Sequence, residues 1–169
     1  MFQYGLGAEH PKWDALQNAL ILSIFVSLVA DALTWFYFGR STILFSVLSY
    51  PISAVPAVLL IAVGYRLVVE SHNVALLRAG QPKLIEDCMY SMVRHPMYLG
   101  ILLLLFGVIL LEFSMVAFMF WIILVFACEW AASYEERDLL RMLPDEYREY
   151  QRRVPKWIPR RLKPLRAST

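Results

Sequence analysis

The sequence predicts an all-α integral membrane protein with four transmembrane helices, the last two paired as a helical hairpin, followed by a C-terminal amphipathic cytoplasmic helical segment. Three observations carry this expectation. Apolar residues make up 59% of the 169-residue chain and charged residues 18%, against about 25% charged in an average soluble domain. The apolar residues collect in three long runs, and mean hydropathy is +0.54. The cations are distributed on one side of those runs. Such a composition excludes disorder and argues against a soluble globule.

The first run extends from about Leu16 to Phe38 and is broken only by Asp31. The second extends from about Ile43 to Val69 and carries Pro51, Pro56 and Arg66. Each suits one span, because a hydrocarbon core about 30 Å thick needs about 20 helical residues. Prolines inside the second are tolerable where neighbouring helices cover the freed carbonyls, and they suggest a kink. The third run, Met97 to Trp130, holds about 34 residues, too many for one span and just enough for two short ones. Its polar interruption, Leu111-Glu112-Phe113-Ser114, predicts a hairpin of about 97–111 and 114–131, whose first arm is either a short traverse or a re-entrant limb.

Charge placement orients these spans. Of sixteen Lys and Arg residues, Lys12 precedes span one. Arg66, Arg78, Lys83 and Arg94 flank the connection between spans two and three, and ten more follow span four. Arg40 alone falls on the other side, in the turn after span one. By the positive-inside rule both termini and the 66–95 segment are cytoplasmic. Asp31 sits near the far face, where it is expected to snorkel toward the Arg40 turn; Glu129 sits near the end of span four. The first run is expected to be a retained span, because no basic region precedes it and no small-residue cleavage site follows.

Past Trp130 the helix is predicted to continue through Ser133-Tyr134-Glu135-Glu136-Arg137. Pro144, followed by Asp145 and Glu146, predicts the first turn of another helix. Leu139, Leu140, Leu143, Tyr147, Tyr150 and Val154 recur at helical spacing, giving one apolar face opposite an Arg- and Glu-rich one. That face would lie on the membrane surface or pack over the cytoplasmic span ends. The Pro-punctuated basic tail with Trp157 suits anionic headgroups. Cys88 and Cys128 predict no disulfide, and His10, His72 and His95 show no metal-ligand spacing. No metal and no nucleic-acid partner is expected.

Chemistry concentrates in two polar clusters. One is Tyr90-Ser91-Met92-Val93-Arg94-His95-Pro96-Met97-Tyr98-Leu99-Gly100, with Pro96 placed as a first helical residue. The backbone donors of that helix start would hold an anion, with Arg94 and His95 beside them. The other is Glu135-Glu136, just beyond span four. A hairpin brings its two ends together, so two carboxylates would face a cationic, donor-rich helix start across one mouth. Such a mouth suits a zwitterion. Taken singly, Arg-His-Pro could be a membrane-boundary anchor and Glu135-Glu136 a solvated helix face; their occurrence at both ends of one hairpin favours a site.

Val93-Arg94-His95-Pro96-Met97-Tyr98-Leu99-Gly100, an apolar hairpin, Glu135-Glu136-x-x-Leu139, Tyr147-x-x-Tyr150 and Val154-Pro155…Ile158-Pro159 together resemble the membrane methyltransferase superfamily. That group includes isoprenylcysteine carboxyl methyltransferases and phospholipid N-methyltransferases. The resemblance covers roughly residues 82–159. It implies an integral-membrane, multi-pass, S-adenosylmethionine-dependent methyltransferase without a Rossmann domain, its cofactor in a cytosol-facing pocket closed by the C-terminal segment. By position it implies cofactor contacts from Lys83, Leu84, Ile85, Tyr90, His95, Pro96, Met97, Tyr98 and Glu135. Arg94 and Glu136 become the candidate catalytic groups, Glu136 as proton acceptor for an amine. The chain then reads as a single membrane domain, 1–169, with the first two spans and the start of the cytoplasmic connection in 1–81 and a methyltransferase-like half in 82–169. Membrane lipids and a lipid or prenylated substrate are the implied partners.

The pattern departs from the superfamily at three places. The usual glycine before Tyr90 is Cys88, and the usual Phe-Gly before the Tyr-x-x-Tyr element is Leu143-Pro144. Ala131 stands where isoprenylcysteine enzymes carry a substrate-binding arginine, a role Arg137 or Arg141 could take over from a nearby turn. The motif order leans toward a prenylcysteine-type carboxylate acceptor and Ala131 toward an aminophospholipid such as phosphatidylethanolamine. Competing classes are a non-enzymatic membrane subunit, a small transporter using Asp31 or Glu112, and a reductase that would bind NADPH.

Overall fold

The structure is a computed structural model that describes residues 11–39, 50–77, 84–112 and 114–159. Arg40, Arg78, Lys83 and the basic tail from Arg160 onward lie outside the described residues. What is described is helical: α1 (Pro11–Phe38), α2 (Tyr50–Leu77), α3 (Pro96–Glu112), α4 (Met115–Met142) and α5 (Pro144–Arg153), with a 3-10 turn at Met89–Ser91. Contacts group the chain into two compact units. Among the described residues, one takes in 12–39, 50–65, 101–112 and 114–128; the other takes in Pro11, 66–77, 84–100 and 129–159.

The first unit is the apolar one. Pro11 and Asp14 suit the start of α1, and Gly39 ends it. Gly39 takes φ +61° and its N–H donates to the Trp35 carbonyl at 2.9 Å, a left-handed cap that a side chain would strain. Leu20, Ile24, Leu28 and Asp31 form the buried stripe of α1. Leu22, Val26, Val29, Leu33 and Phe36 face outward, Phe36 with 80% of its surface exposed. A helix apolar outside as well as inside suits hydrocarbon as its solvent. Among the described residues, three helices are long and apolar enough to cross a membrane: Trp13–Phe38, Ala54–Ala75 and Met115–Met142. α3 has 17 residues and rises roughly 25 Å, short of a full hydrocarbon core.

The hairpin break falls where the polar interruption predicts it, between α3 and α4. Ser114 makes that break. Its Oγ accepts the Ala117 N–H at 3.2 Å as a helix cap and donates to the carboxylate of Asp31. Asp31 is therefore buried against the hairpin turn, and the expected snorkelling toward solvent does not occur. A carboxylate in this setting is satisfied more cheaply by a neighbouring donor than by distant water. α2 continues as helix through Pro56. The hairpin arms join through Trp121, whose Nε1–H donates to the Leu102 carbonyl at 2.9 Å and whose ring stacks on Phe106 at 4.8 Å.

The second unit gathers the end of α2, the segment 84–95, the start of α3, the end of α4, α5 and the strap 154–159. Leu139, Tyr147, Tyr150 and Val154 are buried together, with Leu84, Leu140 and Leu143 packed against them. The apolar face read from the sequence thus meets protein. Asp145, Glu146, Arg148, Glu149, Arg152 and Arg153 on α5 are exposed. Pro144 opens α5, with Asp145 and Glu146 in its first turn and Arg152 and Arg153 in its last, each charge on the favourable end of the helix dipole.

Gly107 marks a close approach of α3 to α2 in the apolar unit. A Cβ there would stand 2.7 Å from the Ala57 carbonyl oxygen and 3.0 Å from the Ile61 nitrogen, both backbone atoms of α2. Small residues at such crossings let helices approach where lipid offers no hydrophobic drive. In an open helix Gly→Ala stabilises by about 0.5–1 kcal/mol. Gly107→Ala should instead destabilise by about 1–3 kcal/mol through overpacking. Thermal unfolding in detergent checks this; a raised midpoint would contradict the close crossing.

Candidate active site

The segment 84–95 is shaped by a turn that brings Tyr90 inward. Cys88 takes φ +54°, the half of conformational space that glycine favours. A cysteine held there carries strain of order 1 kcal/mol. The Cys88 carbonyl accepts both the Ser91 N–H at 3.1 Å and the Ser91 hydroxyl at 2.6 Å. The Tyr150 hydroxyl donates to the Tyr90 carbonyl at 2.6 Å and ties this turn to α5.

Arg94 follows as a strut. Its Nε donates to Glu136 Oε1 at 2.9 Å and its Nη2 lies 3.4 Å from Glu136 Oε2. Its Nη1 donates to the carbonyls of Val154 at 2.8 Å and Gln151 at 3.3 Å. Its backbone N–H donates to the Pro155 carbonyl at 3.0 Å. Three segments distant in sequence meet on this one side chain.

His95 sits beside it, buried. Its Nε2 lies 3.0 Å from Glu136 Oε1; a carboxylate only accepts, so Nε2 carries a proton. Nδ1 lies 3.6 Å from Glu135 Oε2, an ion-pair distance. Gln151 Nε2 donates to the second Glu136 oxygen at 3.1 Å. Tyr98 stacks on the imidazole at 5.9 Å, and the Trp157 ring, tilted by 40°, lies 5.9 Å away. Burial opposes a charged imidazole, but Glu135 and Glu136 outweigh it, and His95 is held above its ordinary value of 6.5. Burial also pushes the hydroxyls of Tyr147 and Tyr150 up, so both stay protonated hydrogen-bonding groups.

These elements enclose a cavity lined by Ala75, Leu84, Ile85, Tyr90, Arg94, His95, Pro96, Met97, Tyr98, Glu135, Leu139, Tyr147 and Tyr150. Leu84, Ile85, Tyr90, His95, Pro96, Met97, Tyr98 and Glu135 were each a candidate cofactor contact in the sequence, and the cavity brings all of them together. Lys83 lies outside the described residues. Arg94 is on the wall, whereas Glu136 stands behind it, ringed by donors. α3 begins at Pro96, as its position predicts, so the first turn of a helix forms part of the wall. Ala75, Leu139, Tyr147 and Tyr150 were not singled out as site residues. For the tyrosines, the Tyr-x-x-Tyr spacing on an apolar helix face was the available signal. Arg137 donates to the Ser133 carbonyl and stacks over Tyr134, and Arg141 pairs with Asp138 at the surface. Among the described residues no group of three or more His, Cys, Asp or Glu could hold a metal ion.

The raised His95 value fixes a sign for pH dependence. The folded chain binds this proton more tightly than the unfolded chain does. The resulting stabilisation is complete below about pH 6.5 and is lost as pH rises through the higher folded value. The stability difference between the parent protein and His95→Gln should therefore shrink on raising the pH through that window. Unfolding midpoints measured from pH 5.5 upward check this; a difference that grows with pH would reverse the assignment.

The sequence pattern of the phospholipid methyltransferase family matches residues 52–145, a stretch that takes in most of the cavity wall. No curated protein and no solved structure is significantly similar to the chain. A match over more than half of its length, spanning α3, α4 and the segment that carries His95, makes the chain a member of the phospholipid methyltransferase family.

Proposed function

We propose that this chain is an integral-membrane S-adenosylmethionine-dependent methyltransferase acting on a lipid-like acceptor whose reactive head lies at the cytoplasmic membrane face. The observation that carries this reading is the convergence of His95, Glu135 and the first turn of α3 on one cavity. In this reading α3 makes a short fourth traverse, and both termini are cytoplasmic with the cavity.

The wall suits the cofactor's parts. Leu84, Ile85 and Met97 offer apolar contact, with Tyr90, Pro96 and Tyr98 beside them. The start of α3 favours a carboxylate, and Glu135 favours an ammonium. When bound, S-adenosylmethionine supplies a methyl group already activated by its sulfonium. What remains for the protein is alignment and exclusion of water.

The charges favour an amine acceptor over a carboxylate. Ala131 supplies no cation. Arg94 is committed to Glu136 and two carbonyls, and Arg137 and Arg141 are engaged at the surface. An amine must lose a proton before it attacks. Glu135 is the carboxylate on the wall, and in this reading it is taken up by the cofactor's ammonium, so the amine sheds its proton to water before it is enclosed, while Glu136 and Arg94 hold His95 in place. This divides the two carboxylates differently from the reading of the sequence, which gave Glu136 the proton.

Two measurements test the proposal. Methyl-labelled S-adenosylmethionine with phosphatidylethanolamine vesicles should yield base-stable label in the lipid. A base-labile ester on farnesylcysteine analogues would replace the amine by a carboxylate, and label in neither would end the lipid-substrate reading. Glu135→Gln and His95→Ala should each weaken S-adenosylhomocysteine binding about ten- to hundredfold, the loss of about 1.5–3 kcal/mol typical of charge-assisted hydrogen bonds. Unchanged affinity in both would remove them from the site.

The topology is tested separately, by impermeant thiol labelling of cysteines introduced near Lys12 and Arg166. Both should react from the cytoplasmic side; reaction from opposite sides would leave an odd number of spans.

A further inference from the structure

Glu129 belongs to no part of the cavity wall, yet it collects donors. Its Oε2 accepts the Trp157 Nε1–H at 2.5 Å. Its Oε1 accepts from Lys156 Nζ and from the Ser133 hydroxyl at 3.1 Å. Lys156 also donates to Ser133 Oγ at 2.7 Å. Glu129, Ser133 and Glu136 fall at helical spacings of four and three, so they share one face of α4. Along that face the chain is fastened twice. Gln151 is bound at Glu136, and Lys156 and Trp157 are bound about two turns away at Glu129. Between the two anchors the strap is held by Arg94, through the carbonyls of Val154 and Pro155.

The strap has a second face. Trp157, gripped by Glu129 through its ring nitrogen, sets its ring against His95, which has Tyr98 stacked upon it. We propose that Glu129 is a positioning residue for the site: through Lys156 and Trp157 it holds the strap 154–157 against His95 and so keeps water from the imidazole. This rests on the cofactor-binding reading of the cavity. The acid has no contact with the cavity and no part in the chemistry; it acts by fixing one aromatic wall of His95. Without its two acceptor oxygens, Trp157 loses its fastening on α4 and Lys156 keeps only Ser133, while the Arg94 end of the strap stays tied. The ionisable groups around His95 remain Glu135 and Glu136 from α4, Arg94 beside it, Tyr98 from α3, Tyr90, Tyr147 and Tyr150 on the same cavity, and Lys156 on the strap.

The test uses the full chain in detergent micelles. The titration midpoint of His95 is read by NMR of labelled histidine, with the resonance assigned by its loss in His95→Gln. S-adenosylhomocysteine affinity is read by calorimetry. Glu129→Leu and Trp157→Ala should each move the His95 midpoint and lower affinity about tenfold. The double variant should be no worse than either, because both act along one path. Glu129→Gln, which keeps an oxygen to accept from Trp157, should hold affinity within about threefold of the parent. A parent-like midpoint and affinity in both single variants would overturn the proposal, as would additive losses in the double variant. Should Glu129→Leu not fold, Trp157→Ala alone decides. If the parent protein binds no S-adenosylhomocysteine, the cofactor reading fails, and the histidine titration still judges the strap on its own.

Discussion

The guanidinium of Arg94 is the group on which the site's geometry depends. It fills its fork with Glu136 on one side and the carbonyls of Gln151 and Val154 on the other. A planar, permanently charged fork can meet a carboxylate and two carbonyls at once, which a lysine ammonium cannot do with the same geometry. The pair is largely buried, with side-chain exposures of 13% and 12%. Removing one partner of such a pair leaves an uncompensated buried charge, at a cost of about 3–5 kcal/mol. The segment before α3, the end of α4 and the strap are thereby locked to one another.

From that lock the division of labour between the two carboxylates follows. Consecutive helical residues point about 100° apart. Glu136 turns toward Arg94 and the Nε2 edge of His95, and Glu135 meets the Nδ1 edge of the same ring from the cavity wall. The imidazole between them is held at its edges by acids, with Tyr98 stacked on it and Trp157 beside it. A buried histidine so surrounded keeps one orientation.

The apolar unit solves a different problem. Its helices expose apolar side chains outward, so lipid gives them little reason to associate. Close backbone approach at Gly107 and the hydrogen bond between Ser114 and Asp31 supply what hydrophobic burial would supply in water. The Asp31 interaction links residues 83 positions apart and fastens α1 to the hairpin turn. It also accounts for an acidic residue that no charge-placement rule requires.

Local chemistry made much of this legible from sequence alone. Pro96 and Pro144 open α3 and α5, because a proline needs no donor partner in a first turn. The polar step at Ser114 separates α3 from α4, because an apolar helix tolerates a break where a side chain can cap the next one. The Arg94–Gly100 motif and Glu135 named the cavity's polar wall because each motif is contiguous and its spacing fixes its face. Tertiary structure alone decided which carboxylate faces the cavity, that Tyr147 and Tyr150 join it, that Asp31 finds Ser114, and that Glu129 captures Lys156 and Trp157. Each of these outcomes depends on a partner or neighbour supplied by another element. A helical period states which residues share a face but not what that face will meet, and the identity of the partner is settled only when the chain has closed on itself.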